Sequence, residues 1–325
     1  MPEKLRQEYN ISIDSISGQE LTQHGTPDFP VMVYHTVFRD NVLGYVNWHW
    51  HRELQFCIVT RGAAEFFVSG RRYAVREGDG IFINSGYLHM ARALQDPDSA
   101  YYCVDADAKL LAGFAGSALE QRCVLPYLDD EKFEDMVLTA ASGEQGTILR
   151  KIRAVAEEYA ERAPGSELRI TALLIEIWDG ILRQYEKTGR QAADGAGMEG
   201  RKTVQGSPAG ESGARMGRAK YALVREIMTY IRTHYAERIA IEDIARAVSF
   251  SGSECCRRFR EVTGQTIFGY LQDVRITQAT AMLRESSASV AQIAYENGFC
   301  STSYLIEVFR KRTGMTPLQY RKRQV

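Results

Sequence analysis

The sequence predicts a two-domain chain: an all-β sandwich or barrel followed by helices, then an all-α domain reached through a tether. Three observations carry this reading. Short β-type runs punctuated by glycine fill residues 30–105, and helical periodicity replaces them from about 147. A segment rich in small residues at 189–217 then separates two halves of opposite charge. The 325 residues suffice for about two domains of roughly 100–200 residues each.

The runs VMVYHTVF, LQFCIVT, AEFFVSG, RRYAVREGD, GIFINSG and AYYCVDA have the spacing of short strands in a sandwich or barrel. Between about 147 and 187, Leu174, Ile177, Trp178, Ile181, Leu182 and Tyr185 share one stripe of an amphipathic helix. Such a stripe reads first as core, and here also as a surface for dimerisation. Residues 189–217, GRQAADGAGMEGRKTVQGSPAGESGARMG, show no apolar periodicity. That composition does not repay its ordering entropy, so a flexible linker is expected. The expected boundaries are 1–188, 189–217 and 218–325, with the β region at about 30–105 and helices at about 147–187.

From Arg218 onward, 17 Lys and Arg against 10 Asp and Glu leave +7, while the remaining 23 and 31 give residues 1–217 a charge of −8. Such a split fits either a polyanion partner for the second half or a solvated basic face. A hydrophobic share of 45% and a charged share of 25% exclude global disorder and collagen-like structure. No apolar run approaches the ~20 residues that span a bilayer. The start, MPEKLRQEYNISID, lacks the apolar stretch of a signal peptide, so the chain is expected in the cytoplasm with no membrane partner. Cysteines at 57, 103, 123, 255, 256 and 300 have no C-x-x-C spacing, which gives a zinc ribbon or thioredoxin motif no support. They are expected to be reduced and mostly buried. There is no Walker motif, G-x-S-x-G or triad signature, so no catalytic residue is assigned.

The second half repeats itself. Ile241–Phe250 (IEDIARAVSF) aligns with Val290–Phe299 (VAQIAYENGF) at an offset of 49, and FR and TGQT at 259–266 align with FR and TGMT at 309–316 at an offset of 50. Two copies of one supersecondary unit follow. Each pairs a short helix, broken at Ser249-Phe250 or Gly298-Phe299, with a second helix ending at Thr-Gly, where glycine takes the left-handed position. The small Ala245 or Ala294 allows close crossing, and the phenylalanine is expected to plug the turn. This is a helix-turn-helix, whose second helix fits the DNA major groove. Between the units, Ile267–Glu285 has a helical rhythm, and its 19 residues make a rod of about 28 Å at 1.5 Å each. That nearly matches the ~34 Å between successive major grooves on one face of DNA.

Residues 220–323 resemble the DNA-binding domain of AraC/XylS-type bacterial transcription regulators. The match lies in IARAVSF, IAYENGF and the closing FRKRTGMTPLQYR. The resemblance implies base contact from the exposed face of each second helix, which falls on Ser253, Cys256 and Arg257 and on Ser303, Ile306 and Glu307. Arg257 suits bidentate contact with guanine O6 and N7. The chain departs from the family where Glu254-Cys255 replaces the common Tyr-Leu and where Glu307 replaces a common Arg. Glu307 could accept from cytosine N4, or merely avoid phosphate.

Two stretches of the β region resemble the cupin motifs H-x-H-x3-E-x6-G and G-x5-P-x-G-x2-H. They are GYVNWHWHRELQ from Gly44 followed by Gly62, and GDGIFINSGYLH from Gly78 to His89. A cupin-like barrel with an internal ligand pocket is implied. Strand alternation would put His49, His51 and Glu53 on one face. In metal-binding cupins the two histidines, the glutamate and the final histidine hold a divalent metal. Here Gln55 stands at the glutamate position and Asn84 replaces the proline, and an amide is a poorer transition-metal ligand than a carboxylate. His49, His51, Glu53 and His89 are therefore expected to line a ligand pocket by hydrogen bonding, with no metal and no cofactor.

The resemblance as a whole implies a sequence-specific transcription regulator controlled by a small-molecule effector, by preference a sugar or carbohydrate metabolite. Double-stranded promoter DNA, a second copy of the chain in a homodimer, and RNA polymerase if the protein is an activator are the implied partners. The alternative is a cupin-type metal-dependent enzyme fused to a DNA-binding domain.

Overall fold

The structure, a computed structural model, describes residues 25–194 and 211–323. These divide into two compact units, 25–38 with 50–194 and 211–214 in the first and 39–49 with 215–323 in the second.

The described residues form nine strands: β1 (Val31–Val37), β2 (Tyr45–His49), β3 (Leu54–Arg61), β4 (Ala63–Val68), β5 (Arg71–Arg76), β6 (Gly80–Ile83), β7 (His89–Ala93), β8 (Ala100–Ala106) and β9 (Asp135–Leu138). They build two antiparallel sheets in the orders β1-β8-β3-β6-β9 and β2-β7-β4-β5. The β domain followed by helices is thus as expected. The short β9, which the sequence reading left out, closes one edge of the larger sheet beside β6.

After β8 come two one-turn helices, α1 (Lys109–Ala112) and α2 (Leu125–Leu128), then the long α3 (Gly143–Glu161) and α4 (Ser166–Asp194). The pair β3–β8 shows why these helices are needed. Leu54, Phe56, Ile58, Val104 and Ala106 project from one face and join Ile148, Leu149, Ile152 and Val155 of α3 and Leu174, Ile177, Trp178 and Ile181 of α4 in one core. Successive side chains of a strand point to opposite faces. Gln55, Cys57, Cys103 and Asp105 therefore project from the other face, and all four are buried there too. With both faces covered, β3 reads as a nearly continuous buried run.

That packing corrects two expectations. Leu174, Ile177, Trp178 and Ile181 are consumed by their own domain's core, so this stripe is not a free dimerisation surface. At 189–217, α4 runs to Asp194 and the next helix, α5 (Glu211–His234), starts inside the supposed linker. The rest of the expected linker, 195–210, lies outside the described residues.

The second unit holds α5, α6 (Ile241–Ala247), α7 (Gly252–Thr263), α8 (Ile267–Glu285), α9 (Val290–Glu296), α10 (Thr302–Thr313) and α11 (Pro317–Arg323). The two helix-turn-helix units are α6–α7 and α9–α10, joined by α8 over the span the sequence predicted. Their ends are capped alike. Ser251 and Ser301 accept from the amides of Glu254 and Tyr304, and Gly264 and Gly314 end α7 and α10 with φ of 71° and 76°. Arg275 donates to the carbonyls of Tyr235 and Glu237 just beyond α5, and Arg321 to those of Leu283 and Ala288 around the end of α8.

The turns differ. Phe299 is buried beneath Arg275, but Phe250 is 49% exposed and plugs nothing. Where Gly298 takes φ 71°, its counterpart Ser249 is forced to φ 58°. A side chain there is strained by about 1–2 kcal/mol. A Cβ on Gly298 would also meet the Ala236 carbonyl oxygen at 2.6 Å. Gly298→Ala should therefore cost about 2 kcal/mol or more, whereas Ser249→Gly should leave stability unchanged or raise it by up to about 1 kcal/mol. Urea denaturation of the two variants checks this contrast in sign.

Candidate functional site

Two clusters stand out. In the second unit, helices α7 and α10 bury one face and expose another. Cys255 and Phe259 of α7, like Leu305 and Phe309 of α10, are fully buried. Cys255 thus occupies the core position that its repeat partner Leu305 fills. Ser253, Cys256 and Arg257 are exposed on α7, and Ser303, Ile306 and Glu307 on α10. All six residues assigned from the resemblance therefore face outward. Arg260 and Arg310 extend the same faces one turn on and are also exposed. Helical spacing alone would have found them.

Arg257 is not idle. Its guanidinium donates to both Glu254 oxygens at 2.7 and 2.8 Å and to Glu261 Oε1 at 2.7 Å. Arg258 also donates to Glu254, at 2.7 Å. Hydrogen bonds from Arg257 and then Arg258 hold the Glu254 carboxyl below its usual range. Arg257 must exchange these partners to reach a base edge, so its contribution there is a difference between two ion pairings.

Beneath α10 lies a buried carboxylate. Asp273 on α8 is fully buried, accepts from the Tyr45 hydroxyl at 2.6 Å and meets Arg312 Nε at 3.1 Å. Burial pushes the Asp273 carboxyl upward, against the Tyr45 hydrogen bond and the Arg312 charge. Arg312 donates also to the Gly269 carbonyl at 3.2 Å. Helix α10 is thereby tied to α8 by an ion pair as well as by packing.

In the first cluster, His49, His51 and His89 are each at most 3% exposed and offer ring nitrogens within 4.8 Å of one another. The rings of His51 and His89 meet edge to face at 5.0 Å. The local structure differs from the single strand face expected. His49 ends β2, and His51 and Glu53 lie in the connection to β3. The Glu53 side chain is 19% exposed and reaches His51 Nδ1 at 3.5 Å, so it flanks the cluster.

Each histidine Nδ1 meets a backbone carbonyl: Asn47 at 2.7 Å, Glu53 at 3.2 Å and Tyr87 at 2.8 Å for His49, His51 and His89. A carbonyl only accepts, so Nδ1 carries a proton in each ring, and in the neutral form of such a ring Nε2 is the acceptor nitrogen. The three imidazoles could thus receive hydroxyl donors or hold a divalent cation; three histidines are an established zinc-site set.

Gln55 does not complete that set. Its amide nitrogen donates to Cys103 Sγ at 2.9 Å, and its buried Oε1 accepts no hydrogen bond among the described residues. Asp105, fully buried, sits 3.9 Å from His51 Nε2. Asp105 is a site residue the sequence reading missed, and Gln55 one that it named only as the replacement at the motif's glutamate position. Polar side chains at inward positions of otherwise apolar strands were the available signal. Asn84, at the motif's proline position, serves the backbone instead, donating to the Tyr127 and Phe133 carbonyls at 2.9 and 2.8 Å.

Comparison with known proteins matches residues 32–177 to the AraC-like ligand binding domain and 244–323 to a helix-turn-helix domain. A relative from Bacillus subtilis (strain 168), the uncharacterized HTH-type transcriptional regulator YdeC, is 31% identical over 304 residues, covering 94% of this chain and 96% of its own. The HTH-type transcriptional activator RhaR of Enterobacter sp. (strain 638) is 23% identical over 277 residues, covering 85% of this chain and 86% of its own. The xylose operon regulatory protein of Escherichia coli (strain K12) is 32% identical over 98 residues, covering 30% of this chain and 25% of its own. Among solved structures, the DNA-binding domain of AdpA in complex with a target DNA is 31% identical, covering 31% of this chain and 90% of that one, with a TM-score of 0.30.

The carboxylates around Arg257 generate a prediction. Replacing both in E254Q/E261Q removes two negative charges from an exposed face and frees the guanidinium. Binding to arbitrary duplex DNA at low salt should tighten several-fold, and the slope of log K against log salt should steepen toward one further contact, roughly −0.9. An unchanged slope in electrophoretic mobility assays would mean that Arg257 reaches no phosphate once released.

Proposed function

The chain belongs to the AraC-type family of HTH-type transcriptional regulators, and from that premise we propose that its ligand-binding domain, residues 32–177, binds a small hydroxylated effector, a sugar or carbohydrate metabolite, which controls how its helix-turn-helix units grip promoter DNA. The observation that carries this reading is the chemistry of the first cluster, in which three buried imidazoles with fixed Nδ1 protons present acceptors beside Asp105 and Gln55. Acceptor groups grouped in an otherwise apolar interior suit a ligand made of hydroxyl donors. A xylose operon regulator among the relatives agrees with that class. His49, His51 and His89, flanked by Glu53, are the proposed ligand contacts.

In the second unit, Ser253, Cys256, Arg257, Ser303, Ile306 and Glu307 are the proposed base-reading positions. The protein works in the cytoplasm in this reading; no helix among the described residues is long and apolar enough to cross a membrane. A homodimer and, for an activator, contact with RNA polymerase complete the proposal. The buried stripe of α4 does not supply the dimer surface, but exposed Leu168 and Ile175 on its other side offer one.

A second reading, a metal-dependent enzyme on a DNA anchor, draws on the same three histidines. In it, His49, His51 and His89 would hold a divalent cation that polarises a bound substrate oxygen. The two readings part on a thermal-shift screen of monosaccharides combined with metal analysis of the purified chain. Stabilisation by a sugar with substoichiometric metal and no product supports the sensor; bound metal with sugar turnover supports the enzyme.

Two substitutions test the assigned residues in the full chain. His89→Ala should weaken the stabilising sugar by at least about tenfold while DNA affinity without sugar stays unchanged; a folded variant with normal sugar affinity removes His89 from the site. Arg257→Ala should weaken a selected DNA site by roughly 5- to 100-fold and relax preference at one base pair. Equal loss on every sequence would assign Arg257 to phosphate.

A further inference from the structure

We propose that Cys57 and Cys103 form a reversible cross-strand disulfide when the protein meets a peroxide, making the inward face of β3 and β8 an oxidant-responsive site. The two residues stand directly opposite each other in the antiparallel register, and their sulfurs are 3.7 Å apart. Directly opposed residues have Cα atoms about 4.5 or 5.5 Å apart according to their place in the ladder, inside the roughly 4.4–6.8 Å that a disulfide spans. Rotation about the side-chain bonds can therefore bring the sulfurs to about 2.05 Å with little movement of the strands.

Both thiols are buried, and the geometry of the pair carries the proposal. Cys103 donates to Asp105 Oδ1 at 3.4 Å, and Gln55 Nε2 donates to Cys103 Sγ at 2.9 Å. The amide hydrogen bond favours the thiolate, which is the nucleophilic form, while the carboxylate opposes it by like charge, so the reaction is expected to be slow and to need a peroxide small enough to enter the interior. The Cys103 thiolate attacks one peroxide oxygen, breaking the O–O bond and giving a sulfenic acid and, after protonation, one water. Cys57, whose thiol points at Cys103 Sγ, then attacks that sulfur, and the departing hydroxide leaves as a second water. Two thiols lose two electrons and two protons, and one peroxide is reduced to two waters.

The crosslink removes the thiol that donates to Asp105 and changes the partner of the Gln55 amide. Asp105 adjoins the histidine cluster, and Gln55 stands opposite it in the strand register, so oxidation would report at the effector site; that consequence rests on the proposed effector reading, whereas the disulfide itself does not. The exposed Cys256 and Cys300 are the competing thiols.

The test uses the full chain. Protein is treated with hydrogen peroxide, unreacted thiols are alkylated under denaturing conditions, and the linkage is mapped by peptide mass spectrometry before and after dithiothreitol. The expected result is a peptide joining Cys57 to Cys103, two fewer alkylated thiols among these positions and full reversal by the reductant. Cys57→Ala should abolish the linked peptide and leave Cys103 as a trapped sulfenic acid. The proposal is overturned if both thiols remain alkylatable at peroxide levels that oxidise Cys256 and Cys300, or if Cys103 pairs only with another cysteine. The readout is sulfur linkage, so a failure of sugar binding leaves it unaffected.

Discussion

The antiparallel pairing of β3 with β8 is the constraint on which the first unit depends. Each strand carries two classes of residue at alternate positions. Pairing them in register puts Leu54, Phe56, Ile58, Val104 and Ala106 on the face that α3 and α4 cover. The same register delivers Gln55, Cys57, Cys103 and Asp105 to the opposite, equally buried face. A slip of one residue would exchange the two sets, stranding a carboxylate and an amide in the apolar helix interface. The strength of the apolar side thus fixes the position of the polar side. The placement of the polar cluster is a by-product of how the core packs.

The second unit solves a different problem, that of presenting two similar helices from one chain. Repetition supplies the helices and their caps, and α8 supplies the separation. The two copies have diverged where they meet their neighbours. One turn is relaxed by Gly298 and sealed by Phe299, while the other holds Ser249 in a left-handed conformation and leaves Phe250 exposed. The second recognition helix is further tied to α8 through Arg312 and Asp273. The first instead spends its central arginine on internal carboxylates. The second helix is the more firmly held of the pair, and the first has the more adjustable charge.

Much of this was legible in the sequence because it depends on periodicity. The helical repeat, the limits of α8, the outward positions on α7 and α10, and the strands β1, β3, β4, β5, β6 and β8 all follow from local patterns. The misses are tertiary. Four residues of β9 carry too little pattern to stand apart from the helices around them. The α4 stripe has the same period whether it meets a sheet or a second chain, and only the sheet's position decides. His49 and His51 alternate as a strand would, yet the chain leaves β2 at His49, and the histidines meet through the fold rather than through one strand face. Gln55 and Asp105 gain meaning only once β3 and β8 are paired. The carboxylates that hold Arg257, at i−3 and i+4, were readable from helix geometry.

The central claim is that one chain reads DNA with two helix-turn-helix units while a separate unit senses a ligand. Selection of bound duplexes from a random library, using the full chain with and without the stabilising sugar, tests it most directly. The account predicts selected sites with two preferred blocks about 10–10.5 base pairs apart centre to centre, enriched to different extents in the two conditions. A single preferred block, or identical enrichment with and without a sugar that demonstrably binds, would contradict it.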